Sequence, residues 1–385
     1  MVGTGSGLGS SMMELLRDEF PSIYRFSCAV FPSEDDDVVT SPYNAILSTN
    51  VLLESSDVVL PIENQALIDM CAAIDKKKKN NNNNVSGNSN NGVITRGNYG
   101  HSSGGNYHHD WNSADAAGGS SAETDTTTIS YNKNTGKRER RQPFAAMNGI
   151  AANMLLHLTS SVRFQGSLNT DLNEIIMNLV PFPKQQFLLS SLSPLAGSGG
   201  ALMPTSFNNS GTFSRGVDSM LSSLFAREHQ LMKADPRNGT FISCGLFVRG
   251  KSASISDLAR NVSRFKKSLK FVHWNVDGFK VGLCSVPPTG LTTSSLALSN
   301  NCCIRSTFTN MRDKFLKLYK KKVYVHHYTQ YMEEDLFTQA DEGVQALIQG
   351  YEDIDLNVNN TNIKNKNAIY GHFDRLQSVG SYFAV

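Results

Sequence analysis

Apolar residues in the first part of the chain alternate between the spacing of helices and that of strands. A short helical pattern ends before Pro21, and continuous apolar runs at Phe26–Phe31 and Val58–Ile62 predict two buried strands. Helical spacing returns over Glu63–Ile74. Strands that alternate with helices are typical of an α/β sheet, so this is the fold class that we expect for residues 1–75.

Regular spacing resumes at Pro143, which suits the first turn of a helix. Apolar residues then recur at intervals of three and four as far as Val162, which predicts one long helix over residues 143–165. A second α/β domain that ends in a pair of helices is predicted from a helix at Val217–Met232, strands at Phe241–Val248, Leu269–Val276 and Phe279–Val286, and closing helices at Phe308–Tyr319 and Glu333–Tyr351.

Two polar segments lack this periodicity. Residues 76–142 are rich in Asn, Gly and Ser, which predicts a disordered insertion because such a segment cannot bury enough apolar surface. Its basic cluster Lys137–Arg141 is compatible with a nuclear signal or a polyanion site, but a solvated linker end is the simpler interpretation. The Asn-rich tail, residues 353–385, is also predicted to be disordered.

Composition excludes several classes of function. A net charge of +2 over 385 residues does not indicate a nucleic-acid partner, and there is no apolar run that could span a membrane and no signal peptide pattern. Six scattered cysteines without a CxxC pair favour a reducing compartment. Neighbouring His326 and His327 are expected to point apart, so no metal site is predicted.

Closely spaced glycines open the chain at Gly3-Thr4-Gly5-Ser6-Gly7-Leu8-Gly9. Such glycines let backbone N–H groups approach an anion, and the helix that follows adds positive potential at its N-terminus. The spacing matches neither a dinucleotide fingerprint nor a Walker loop. Phosphate binding and a flexible terminus are the two interpretations that it allows.

Phe144 and Asn148 are four residues apart on the long predicted helix and therefore share a face. Together with Asn64 they could bind a purine, because the ring can stack on the base and an amide can hydrogen-bond to its edge. From spacing alone, packing and local capping are the better explanation.

The stretch Gly166–Glu174 contains a helix start, with Asn169 or Thr170 as the expected cap. Asp171 and Glu174 lie three apart, and acids are favoured there by the helix dipole without any chemical role. The functional alternative is that Glu174 polarises a water molecule as a general base or orienter.

In their order along the chain and in their residues, these segments resemble segments of the tubulin family. The motifs that carry the resemblance are Gly3–Gly7, Ser41–Ala45, Ile62–Leu67, Gly166–Leu172, Asn178–Pro183, Ala234–Arg237, Val248–Gly250, Val286–Pro288 and Met332–Glu334. Within the family, Phe31–Ser33, Thr40–Tyr43 and His229–Pro236 are similar to the epsilon branch.

The resemblance implies a tubulin/FtsZ-like α/β fold with a partial Rossmann-like nucleotide domain, an α/β intermediate domain and a C-terminal helical hairpin. The implied segments are 1–75 (C-terminal part of the GTP-binding domain, its first strands missing), 76–142 (disordered insertion), 143–165 (core helix), 166–305 (intermediate domain), 306–352 (C-terminal helices) and 353–385 (disordered tail).

The resemblance also implies a role for each candidate residue. GTP phosphates would contact Gly3, Thr4, Gly5 and Ser6, and guanine would contact Asn64, Phe144 and Asn148. A longitudinal interface would include Asn169, Asp171 and Glu174, and Glu174 occupies the position at which alpha-tubulin carries the acid that promotes hydrolysis in trans. The implied cofactor is GTP, with magnesium by resemblance alone because the magnesium-binding loops are not matched.

Two departures from the family pattern weaken the nucleotide site. Ser41 stands where alpha- and beta-tubulins have a ribose-contacting acid. The chain also begins at the glycine motif, so we expect an incomplete sequence with an open sheet edge.

The function that the resemblance implies is that of an epsilon-type GTP-binding tubulin, a GTPase whose activity a neighbouring subunit would complete. Its expected partners are other tubulins and centriolar or basal-body proteins, with neither nucleic acid nor membrane. Its expected location is the cytoplasmic cytoskeleton at the microtubule-organising centre. The alternative is a structural or interaction protein that binds no nucleotide.

Overall fold

The structure, a computed structural model, describes residues 3–33, 38–74, 129–131, 138–140, 144–195, 213–250 and 254–380. The chain divides into two compact units. The larger comprises Met1–Ile74 and Ala146–Val385, and the smaller comprises Asp75–Ala145.

The amino-terminal part of the larger unit is built on two parallel strands. In chain order, α1, β1, α2, β2 and α3 span Thr4–Glu19, Phe26–Phe31, Ser41–Ser55, Val58–Glu63 and residues 64–74. β1 and β2 pair in parallel, which requires a crossover such as α2 between them. Every residue of β2 is buried, as expected for an apolar strand covered on both faces. Both predicted strands are confirmed, but the predicted burial of β1 is wrong, since Cys28 and Val30 are exposed and only Phe31 is fully buried.

The smaller unit contains two short strands, β3 (Ile129–Tyr131) and β4 (Arg138–Arg140). They pair antiparallel, with Ser130 opposite Glu139. These strands lie inside the segment that was predicted to be a disordered insertion. The rest of that prediction falls outside the described residues.

The long helix predicted over residues 143–165 is divided in two. Helix α4 spans Ala145–Leu158 and helix α5 spans Ser160–Arg163. At the junction, the Thr159 hydroxyl donates a hydrogen bond of 2.9 Å to the Leu155 carbonyl. Such a bond to the preceding turn bends helices, which explains the interruption. Helix α6 (Leu172–Leu179) follows after a loop.

A four-stranded mixed sheet forms the centre of the second half. Its elements β5, α7, β6, α8, β7 and β8 span Leu189–Ser193, Phe213–Ser223, Phe241–Gly250, Ile255–Ser268, Phe279–Cys284 and Thr293–Asn301. The strand order is β5-β8-β6-β7. Only β6 and β7 pair in parallel, and α8 is their crossover. β7 is therefore an edge strand.

The strand predicted at Leu269–Val276 is wrong. Only an isolated bridge forms there, between Phe241 and Phe271, and turns follow. The Asn275 side chain donates a 2.9 Å hydrogen bond to the Ile242 carbonyl. The backbone carbonyl of Asn275 accepts a 3.1 Å hydrogen bond from the Gly278 N–H. These bonds close a turn that leads into β7.

The helix predicted at Val217–Met232 ends early, at Ser223. The Ser223 hydroxyl bonds to the Met220 carbonyl at 2.7 Å, which competes with helix continuation. The chain then runs along β5, where Gln230 bridges to Ser191. Tertiary pairing therefore replaces the last turns of the predicted helix.

The closing helices are confirmed as α9 (Arg305–Tyr319) and α11 (Asp335–Gly380), with the short helix α10 (Val325–Tyr328) between them. Buried residues of α11 recur at intervals of three and four at Phe337, Ala340, Val344, Leu347 and Tyr351. The helix continues to Gly380, whereas the tail was predicted to be disordered. The buried first part of α11 serves as a nucleus. Extension of a helix from a formed nucleus is easier than starting a new one, because each added residue gains a hydrogen bond.

Three apolar clusters form the core of the larger unit. One joins α2 to α9 and α11, one joins β2 and α3 to α4 and α6, and one packs α7 and α8 on the sheet. Each of the first two clusters draws residues from at least three of the six predicted segments. The division into those segments stays a prediction.

Candidate functional site

The glycine motif lies in the first turns of α1 and not in a loop before it. Gly3 is the N-cap with a left-handed φ of 72°, and the Ser6 hydroxyl donates a 2.7 Å hydrogen bond to its carbonyl. The first N–H groups of a helix have no partner within it, and these carry the positive end of the dipole. A Cβ atom added at Gly3, Gly5, Gly7 or Gly9 would meet no atom within 4 Å. The glycines of this turn therefore leave room for an anion, whereas Ser6 is buried and both its N–H and its hydroxyl donate to the Gly3 carbonyl.

The predicted guanine contacts are all exposed. Asn64 begins α3 and Asn148 lies in the first turns of α4, and both side chains are exposed. The inner faces of α3 and α4 share one apolar cluster. Phe144, just before α4, is 61% exposed, which is unusual for a large apolar ring. Each of the three predicted side chains is thus accessible to solvent.

Ser41, at the predicted ribose position, begins α2 and is only 2% exposed. A side chain so buried does not offer its hydroxyl to a ligand. The weakening of the ribose contact stays a prediction.

The loop before α6 is attached to the edge of the sheet. Leu168 and Leu283 of β7 exchange backbone hydrogen bonds of 3.4 and 2.9 Å. A Cβ atom on Gly166 would collide with the Leu283 carbonyl oxygen, so glycine is required for this close approach. Thr170 is buried beneath the loop, while Asn169 and Asp171 are exposed. Backbone pairing thus fixes the loop and presents two of its polar side chains to solvent.

The cap of α6 is Asp171, and the prediction of Asn169 or Thr170 is wrong. Its side chain accepts a 2.7 Å hydrogen bond from the Leu172 N–H. Glu174 lies in the first turn of α6 and is 45% exposed, and its carboxylate forms an ion pair with the Lys280 ammonium of β7. Sequence reasoning missed Lys280, since nothing in local spacing connects residues so distant in the chain.

Large apolar side chains on α6, after α6 and in the turns before β7 are exposed. Phe182 and Trp274 form an edge-to-face pair with ring centroids 5.4 Å apart and are 42% and 46% exposed. Met177 on α6 is 76% exposed, and Val276 is 52% exposed. Exposed aromatic residues of this kind are enriched at protein interfaces. The sequence signal was available, but Trp274 was placed in a strand.

The expectation that His326 and His327 point apart is wrong, since their ring centroids are only 4.1 Å apart. They lie in the short helix α10 between the closing helices. Within the described ranges, no group of three or more His, Cys, Asp or Glu side chains is placed to hold a metal ion.

Replacing Gly166 with alanine is expected to detach the loop from β7, because the new methyl group cannot coexist with the Leu283 carbonyl. Hydrogen exchange of the Leu168 and Leu283 amides is expected to accelerate at least about tenfold. Gly9→Ala is the control, since its methyl group would meet no neighbour. Equal protection of the Leu168 amide in the wild-type and Gly166→Ala proteins would contradict this account of the loop.

Two protein-family models match segments of the chain. The Tubulin/FtsZ family GTPase domain matches residues 1–72, and the Tubulin C-terminal domain matches residues 183–313. In the part of the chain that the structure describes, no helix is long and apolar enough to cross a membrane. Both matched regions include elements of the candidate site.

Curated relatives agree with these matches. The chain is 45% identical to the tubulin epsilon chain of Mus musculus over 355 residues, which are 92% of this chain and 65% of the relative. It is 44% identical to the tubulin epsilon chain of Homo sapiens over 93% of this chain and 66% of the relative. The tubulin alpha-6 chain of Naegleria pringsheimi is 31% identical over 91% of this chain and 65% of its own length.

The chain thus spans about two thirds of the length of the curated relatives that it matches. The parallel strand pairs β1–β2 and β6–β7, each connected through a helix, agree with the α/β class of this family. The chain belongs to the tubulin family, and its sequence is of the epsilon type.

Proposed function

We propose that this protein is a GTP-binding tubulin of the epsilon type that associates with other tubulins end to end. The observation that carries the proposal is the glycine turn of α1, where Gly3 adopts a left-handed φ and no atom crowds the glycines. Backbone N–H groups at the start of a 16-residue helix suit a phosphate group. The similarity to tubulin epsilon chains supports GTP as the nucleotide.

The nucleotide fits the candidate residues in part. Gly3, Thr4, Gly5 and Ser6 would hold phosphates, while Phe144 would stack on guanine and the amides of Asn64 and Asn148 would bond to its edge. Buried Ser41 contributes no ribose contact. The first turn of α1 contains no acidic residue, so these residues supply no carboxylate ligand for magnesium.

The association surface would be the region around the loop before α6. Asn169, Asp171 and Glu174 present polar groups, and the exposed Phe182–Trp274 pair, in which Phe182 follows α6 in the chain, offers apolar contact area. Large aromatic residues at the centre of an interface commonly dominate its binding energy. In this arrangement Glu174 would face the nucleotide of the neighbouring subunit, and GTP would supply the β–γ phosphoanhydride bond that is hydrolysed.

The cellular role that follows is in microtubule organisation at centrioles or basal bodies, within the cytoskeleton of the cytoplasm. Centriolar and basal-body proteins would be the further partners. The resemblance to the epsilon branch supports this part of the proposal.

Nucleotide binding by the full chain tests the proposal. Titration calorimetry is expected to show micromolar affinity for GTP and much weaker binding of ATP. Phe144→Ala is expected to weaken GTP binding roughly tenfold or more, since stacking on a base contributes about 1–3 kcal/mol. Tyr331→Ala, which removes a ring that is 89% exposed on another part of the chain, is the control.

A specific observation favours a second candidate, a structural or interaction protein that binds no nucleotide. Buried Ser41 removes one nucleotide contact, while the apolar surface at Trp274 remains exposed for a partner. Association that is measurable in sedimentation without any GTP binding would support this candidate and contradict the first.

A further inference from the structure

The carboxylate of Glu174 is held by a single cation in the described part of the chain. The Lys280 ammonium forms an ion pair with Glu174 Oε2, and the two side chains are 28% and 45% exposed. A carboxylate has two oxygens and about four acceptor positions, so one ammonium group does not occupy them all. The pair therefore fixes the carboxylate and leaves it able to accept a hydrogen bond from water.

Both partners are attached to the same rigid sheet. Lys280 is the second residue of β7, in register with Gly245 of the central strand β6. At the far end of α6, the Leu179 carbonyl accepts hydrogen bonds from Ser243 at 2.8 Å and Asn300 at 3.0 Å. These buried bonds, with the Leu168–Leu283 bridge, fix both ends of α6 on the sheet.

An alternative role for the Lys280–Glu174 ion pair is to stabilise the fold. Surface ion pairs contribute only about 0–1 kcal/mol to stability, so folding does not depend on this one. Fixing the orientation of a reacting group, by contrast, affects rate directly, because reaction depends on near-attack geometry.

We propose that Lys280 is a positioning residue that orients the Glu174 carboxylate toward a water molecule at the nucleotide of the neighbouring subunit. This inference rests on the proposed function. In the reaction, the water oxygen bonds to the γ-phosphorus as the bond to the β–γ bridging oxygen breaks. The products are GDP and inorganic phosphate, and the proton of the water passes to Glu174. Lys280 itself neither gains nor loses a proton.

The test measures GTP hydrolysis by the full chain at concentrations where sedimentation shows association. Lys280→Met removes the charge but keeps an apolar stem, and it is expected to lower kcat roughly 5- to 10-fold with KM within about twofold. Lys280→Arg is expected to restore most of the rate. Lys266→Met is the matched control, since it removes a surface ammonium that pairs with Asp277 and not with Glu174.

A double-mutant cycle separates positioning from a general effect of charge. Glu174→Gln is expected to slow hydrolysis, and adding Lys280→Met to it is expected to cause no further loss. Independently of turnover, acetylation of the Lys280 amine, followed by mass spectrometry, is expected to be severalfold faster in Glu174→Gln than in the wild type. Acetylation of Lys266 is expected to be unchanged.

The possible failures are distinguishable. If Glu174→Gln slows hydrolysis but Lys280→Met does not, the positioning role is overturned while the proposed function stands. Unchanged labelling of Lys280 in Glu174→Gln also overturns it, because the ion pair would then be absent. If associated, GTP-bound protein shows no hydrolysis in any variant, the proposed role of Glu174 fails and the inference fails with it.

Discussion

Replacing Phe308 with alanine is expected to lower the free energy of unfolding by about 3–5 kcal/mol. Phe308 of α9 is fully buried, and its ring packs edge-to-face on Phe187 and Phe31 with centroid distances of 4.7 and 6.0 Å. The three rings connect β1, the residues before β5 and α9, so the cavity left by alanine cannot be filled by one local shift. Urea unfolding followed by circular dichroism measures the loss.

Tyr331→Ala is the control for Phe308→Ala. The Tyr331 ring is 89% exposed, and surface substitutions usually change stability by less than about 0.5 kcal/mol. Similar losses in the two variants would mean that the Phe31–Phe187–Phe308 cluster is not a principal source of stability. A loss near 1 kcal/mol for Phe308→Ala would indicate that the surrounding helices collapse into the cavity.

Acidification below pH 6.5 is expected to destabilise the protein through His157. This residue of α4 is 4% exposed, and its Nε2 lies 2.6 Å from the Ser294 hydroxyl. Burial and, to a smaller extent, the nearby Arg249 guanidinium together lower the pKa of His157 from 6.5 to about 3. The folded protein therefore keeps a neutral imidazole where the unfolded chain takes up a proton.

The stability contributed by neutral His157 is complete above pH 6.5 and is lost as the pH falls towards 3. The expected loss is about 2 kcal/mol at pH 5 and about 5 kcal/mol below pH 3, at 1.36 kcal/mol per unit. Urea unfolding at a series of pH values measures it.

His157→Gln keeps an amide that can bond to Ser294 and cannot titrate, so this part of the pH dependence is expected to disappear. Ser294→Ala is the matched control, because it removes the hydrogen bond and leaves the imidazole in place. It is expected to lower stability at every pH and to preserve the decline on acidification. A decline in His157→Gln as steep as that of the wild type would assign the proton uptake to other groups.

Much of the fold could be predicted from the sequence, because the patterns that indicate helices and strands lie within short stretches of the chain. The apolar run of β2 and the three-and-four spacing of α9 and α11 record burial directly in residue order. The motifs Gly3–Gly7, Gly166–Leu172 and Asn178–Pro183 likewise indicate the tubulin family from the sequence alone. The strand predicted at Leu269–Val276 failed because backbone hydrogen bonds of Asn275 close a turn, and its side chain bonds to the Ile242 carbonyl, neither of which apolar spacing records.

The sequence by itself therefore determined the family, most elements and the candidate residues for phosphate and guanine contact. Only the tertiary structure decided that Ser41 is buried, that Asp171 caps α6 and that Lys280 pairs with Glu174. It also decided that Trp274 and Phe182 meet on the surface. The physical reason is that these contacts depend on which helix end is placed beside which sheet edge. Residue spacing within one element carries no information about that placement.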